Sequence, residues 1–61
     1  MYKLNNDLYF MIQRGVSDNL FIKYFDKDFK DIINPLNNVS FGWQPISTGL
    51  ATFLRSIGEE V

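Results

Sequence analysis

Between Arg14 and Phe21 the chain reads R-G-V-S-D-N-L-F, and this stretch constrains the fold more than any other. It separates two apolar runs, L-Y-F-M-I before it and L-F-I-K-Y-F ending at Phe25. The backbone must turn a corner between them. Gly15 suits the left-handed residue just past a helix end. Ser17 suits an N-cap, with Asp18 and Asn19 in the first turn. There, side-chain oxygens and negative charge meet free backbone N–H groups. These signals predict one helix ending and another beginning.

Upstream, Asn5, Asn6 and Asp7 suit a helix start, and Leu8, Met11 and Ile12 fall at helical spacing. A helix over about 6–14 follows. Downstream, Ile22, Phe25, Phe29, Ile32 and Leu36 recur every three or four residues, the spacing of one helix face. Phe21 and Ile33 widen that stripe. Lys23, Asp26, Lys27, Lys30 and Asp31 fill the other side, with Asp26 and Lys30 in the favourable i,i+4 order. This predicts a helix over 18–33, stopped at Asn34 by Pro35. The Pro-, Gly- and Asn-punctuated stretch 34–46 reads as an ordered loop, with a short strand at 39–43 as a variant. Ser47 or Thr48 caps a third helix over 47–58, with Leu50, Phe53, Leu54, Ile57 and Val61 as its stripe. Gly49 inside it suggests close approach of another group. Gly58 ends it, and 59–61 are expected to fray.

The expected fold is therefore all-α: three short helices and an ordered loop, in a single small domain over 1–61. The alternative is α+β. In it 8–14 and 20–25 pair as an N-terminal hairpin around G-V-S-D-N, leaving one C-terminal helix. L-Y-F-M-I is equally good strand material, and a short apolar run does not reveal its period.

At 61 residues, stability is marginal without a staple. The chain has no Cys and no His, so disulfides, thiolate metal sites and the commonest general base are excluded. Six Phe, three Tyr and Trp43 are more rings than a three-element core hides. Apolar surface left over marks an interface, so a homo-oligomer, most simply a dimer, is expected. Net charge is −1, without the basic surplus of nucleic-acid modules, so a nucleic-acid partner is disfavoured. No apolar run approaches the roughly 20 residues of a membrane span. No basic-then-apolar opening suggests a signal peptide, so the expected location is the cytoplasm. Asn, Lys, Ile, Phe and Tyr have A/T-rich codons, consistent with a phage or mobile-element origin.

The chemistry-bearing patterns are few. Asp26, Asp28 and Asp31 alternate with Lys and read as solvated rather than as a buried acid–base pair. D-K-D-F-K-D lacks the spacing and glycine of a calcium loop, and F-G-W and S-T-G-L match no phosphate fingerprint. No cofactor, metal or enzymatic activity is expected. Trp43, in S-F-G-W-Q-P, either plugs the core with its indole N–H bonded to a carbonyl or is a candidate anchor with Phe41, because Trp is prominent among binding hot spots. Phe21 and Phe25 join them as candidate partner-binding residues.

The stretch from Asp7 to Phe25 resembles a helix-turn-helix, with Gly15 and Val16 in the turn and Ser17 opening the recognition helix. That resemblance implies base contacts from Ser17, Asn19 and Lys23. Met11 stands where such motifs hold a small residue, and Asp18 would face phosphates. The opening M-Y-K-L-N-N-D-L resembles, over eight residues and no further, small helical-hairpin kinase inhibitors of spore-forming bacteria; no residue role follows from it. The leading expectation is a small regulator or inhibitor that binds a larger protein stoichiometrically and occludes a site on it. The alternative is a dimeric helix-turn-helix DNA-binding regulator.

Overall fold

The computed structural model describes residues 1–32 and 42–61. Among these residues, five strands form one antiparallel sheet: β1 (Tyr2–Asn5), β2 (Leu8–Arg14), β3 (Leu20–Phe25), β4 (Gln44–Ile46) and β5 (Glu59–Glu60). Their spatial order is β4-β3-β2-β1-β5. One helix, α1 (Thr48–Ile57), leaves β4 at one edge and delivers the chain to β5 at the other. The chain is thus α+β, not the all-α bundle that the helical spacing predicts.

The corner at 14–21 is where the two readings part. Residues 8–14 and 20–25 pair in register, Tyr9 with Phe25, Met11 with Lys23 and Gln13 with Phe21. The predicted helices over 6–14 and 18–33 are replaced by this hairpin and the turns around it as far as Ile32; Ile33 and the predicted stop at Asn34 lie outside the described residues. Gly15 is extended (φ −109), and the left-handed residues are Ser17 (φ 59) and Asp18 (φ 61). Asn19 N–H donates to the Val16 carbonyl at 3.2 Å, and Gly15 N–H to the Asn19 carbonyl at 2.7 Å. Two positive φ values at the centre of a closed four-residue turn match the right-handed twist of a hairpin.

The other predicted helix signals also serve turns. Asn5 Oδ1 accepts from Asp7 N–H, so the N-N-D stretch closes the β1–β2 turn rather than capping a helix. Asp26 Oδ1 accepts from both Asp28 N–H and Lys30 N–H, each at 2.9 Å, in the turn after β3. Asp26 and Lys30 are therefore linked through the Lys30 backbone of a turn. The period of three and four from Ile22 onward straddles a strand and this turn, so its regularity is accidental.

The third expected helix is present as α1, with Ser47 Oγ accepting from Leu50 N–H at 3.1 Å and Gly58 at its end. Glu59 and Glu60 do not fray; they pair with Lys3 and Tyr2 as β5. A Cβ at Gly49 would have nothing within 4 Å, so that glycine admits no close neighbour. Of the predicted 34–46 loop, 44–46 form β4; the suggested strand at 39–43 lies mostly outside the described residues, and 42–43 are not strand.

The core fills the space between α1 and one face of the sheet. Phe10, Ile22, Tyr24 and Leu54 are its centre, with Tyr2, Leu4, Leu8, Ile12, Ile32 and Ile46 packed around them. Phe10 is fully buried, stacks on Tyr2 with ring centroids 5.3 Å apart, and meets Gly58. Burying a ring or branched aliphatic side chain of this kind contributes about 1.5–3 kcal/mol each.

Candidate functional site

Side chains alternate across a strand, so the residues between the core positions of β2 and β3 point to the opposite face. On β3, Leu20, Ile22 and Tyr24 are buried toward α1, whereas Phe21, Lys23 and Phe25 are half-buried on the other face. The register places Tyr9, Met11 and Gln13 of β2 beside them, and Pro45 of β4 beside Phe21. Among the described residues, α1 is the only α-helix and it covers the other face. An antiparallel sheet of this kind normally turns polar residues outward. Here the outward set is mainly aromatic and apolar.

Lys23 sits at the centre of this second face, with its side chain 23% exposed. Its Nζ lies 5.4 Å from the Phe25 ring centroid and 5.8 Å from that of Trp43, within cation–π range. The same Nζ pairs with Asp31 Oδ2 at 3.2 Å. The lysine stem therefore runs over rings while its charge is matched within the chain. At one end, Tyr9 and Phe29 meet edge to face with centroids 5.1 Å apart. Phe29 is held there in a left-handed conformation (φ 62). At the other end, the Phe21 ring lies on Gly15, where a Cβ would fall 2.5 Å from Phe21 Cε2. Beside it, Gln13, Arg14, Val16, Phe21 and Trp43 line a shallow, open concavity of about 290 Å³.

Of the candidate partner-binding residues, the fold brings Phe21, Phe25 and Trp43 onto this one face; Phe41 lies outside the described residues. Trp43 is 39% exposed at the rim, neither buried plug nor fully free anchor. The alternative DNA-reading set has no recognition helix to stand on. Ser17 and Asn19 are at the hairpin tip, and Lys23 is on the sheet. Sequence reasoning missed Tyr9, Met11 and Phe29 as surface partners. The signal was available: writing 8–14 and 20–25 as paired strands puts 9, 11, 21 and 25 on one side.

A smaller apolar stripe, Leu50, Phe53 and Ile57, runs along α1 outside its buried residues Ala51 and Leu54. Among the described residues, no helix is long and apolar enough to cross a membrane, and no group of three or more His, Cys, Asp or Glu could hold a metal. No protein family, curated protein or solved structure matches the chain.

Proposed function

We propose that this chain is a protein-binding module that works in the cytoplasm, by docking rather than catalysis. It covers a site on a larger protein with the open face of its sheet and acts stoichiometrically. One observation carries this reading: the strands carry apolar residues on both faces, and among the described residues α1 covers only one of them. The face away from α1 offers exposed Phe29 and Trp43 with half-buried Tyr9, Phe21 and Phe25, the ring-rich composition of binding hot spots. Its charges support a protein partner over a nucleic acid. Lys23 is matched by Asp31 and Lys3 stands opposite Glu59, so these two cations of the face are offset rather than left to neutralise phosphate.

The test compares baits. Wild type, Trp43→Ala and Phe53→Ala are immobilised and exposed to lysate of the source cell. Retention of a defined protein by wild type and Phe53→Ala, with loss on Trp43→Ala, is the expected result. Retention unaffected by Trp43→Ala, or salt-sensitive binding of a single-stranded oligonucleotide in its place, overturns the reading.

A further inference from the structure

The sheet face away from α1, open among the described residues, invites an occupant even before a larger partner arrives, and its geometry limits what that occupant can be. Strand addition at the edges is discouraged. β4 has three residues with Pro45, which lacks an N–H, at its centre, and β5 is two glutamates. The stripe on α1 is also too small. Ten residues at about 1.5 Å each give a strip about 15 Å long and one side chain wide.

The open face is larger. The 22 strand residues, each about 3.3 Å long on strands spaced about 4.8 Å apart, outline about 350 Å² in projection. Side-chain relief raises that toward the roughly 500 Å² per partner that a specific interface needs at minimum. The face is also electrically self-matching, with Lys3 and Lys23 against Glu59 and Asp31. A two-fold interface brings one patch against itself, and a patch whose charges are balanced meets itself without like-charge repulsion.

We infer that, in the absence of a larger partner, the open sheet face is closed by a second copy of this chain, giving a face-to-face sandwich held by Tyr9, Phe21, Phe25, Phe29 and Trp43. This inference rests on the docking reading above and names a competitor for the same face. Self-pairing then stores the aromatic surface and must be displaced when the larger partner binds. An interface near the lower limit of area makes the pair a weak, concentration-dependent dimer.

Sedimentation equilibrium of the full chain tests this directly. Wild type is expected to approach twice its 7.1 kDa chain mass at high micromolar concentration and to dissociate on dilution. Trp43→Ala is expected to raise the dissociation constant about ten-fold or more, the scale of a lost hot spot, while Phe53→Ala leaves it unchanged. Phe29→Ala serves as a second face variant, and circular dichroism confirms that each variant is folded. A wild type that stays monomeric at high micromolar concentration overturns the inference, as does a dimer broken by Phe53→Ala or indifferent to both face variants. These results leave the docking reading separately testable. A monomeric wild type whose partner is lost on Trp43→Ala defeats self-pairing alone; a face-to-face dimer with no Trp43-dependent partner supports self-pairing and defeats the larger-partner reading.

Discussion

Replacing Asp18 by glycine separates the hairpin from a helical corner by the sign of its effect. Asp18 has φ 61, next to Ser17 at φ 59, and the two occupy the centre of the turn closed by Asn19 N–H and the Val16 carbonyl. A left-handed conformation costs a side-chain-bearing residue about 1–2 kcal/mol, less for Asp and Asn, whereas glycine adopts it freely. Glycine also loses more backbone freedom on folding, which offsets part of the gain. The substitution removes the Arg14–Asp18 contact as well, but that pair is long at 4.0 Å and largely solvent-exposed, so its contribution is small. The net expectation is a stabilisation of about 0.5–1 kcal/mol, a rise of roughly 2–8 °C in midpoint for a domain this small. In the first turn of a helix the same change would destabilise by a similar amount. Thermal unfolding followed by circular dichroism reads the sign. A lower melting temperature for Asp18→Gly refutes the turn.

Three further substitutions probe the core. Phe10→Ala should cost about 3–5 kcal/mol, because the ring is fully buried between Tyr2, Tyr24 and Gly58. Against a total of about 3–9 kcal/mol for 61 residues, that leaves a largely unfolded chain by urea titration; a cooperative transition near wild type contradicts the packing. Gly58→Ala should destabilise by roughly 1–3 kcal/mol, since its Cβ would lie 3.0 Å from both Phe10 Cζ and the Leu54 carbonyl. An unchanged urea midpoint would show that Phe10 has room to move. Tyr24 is buried, and its hydroxyl has no hydrogen-bond partner among the described residues; desolvation raises its pKa above the ordinary 10.0. Its contribution to stability is complete below pH 10 and is lost as pH rises through the raised value. Tyr24→Phe should therefore match or exceed wild-type stability at neutral pH and flatten the alkaline loss. A stability deficit at pH 7 would show that the hydroxyl has a partner.

What could be read from the sequence follows from where local chemistry is unambiguous. Ser47, Gly58 and the stripe between them specify α1 because cap, period and stop agree. The corner at Gly15–Asn19 was placed correctly, but its hand was not, since Ser and Asp give no warning of two positive φ values in succession. The two long strands were hidden because L-Y-F-M-I and L-F-I-K-Y-F are apolar on both faces. A strand announces itself by alternation, and a sheet that keeps an aromatic outer face erases it. The feature that concealed the fold is thus the one that marks the candidate site. Phe21, Phe25 and Trp43 stand out on composition as candidate partner residues, and pairing the strands gathers Phe25 and Trp43 around Lys23 and adds Tyr9, Met11 and Phe29 to the same face.

An alanine scan of β3, read by urea unfolding and sedimentation on the same samples, tests most directly whether the sheet has one face for the core and one for docking. At Leu20, Ile22 and Tyr24 truncation should cost about 2–5 kcal/mol of stability, the range for buried side chains. At Phe21, Lys23 and Phe25 it should leave a cooperative fold within roughly 1 kcal/mol of wild type, and should weaken association instead. A strict alternation along six consecutive residues is the predicted result. Losses of stability that show no period of two, or association that weakens at the core positions alone, would contradict the account.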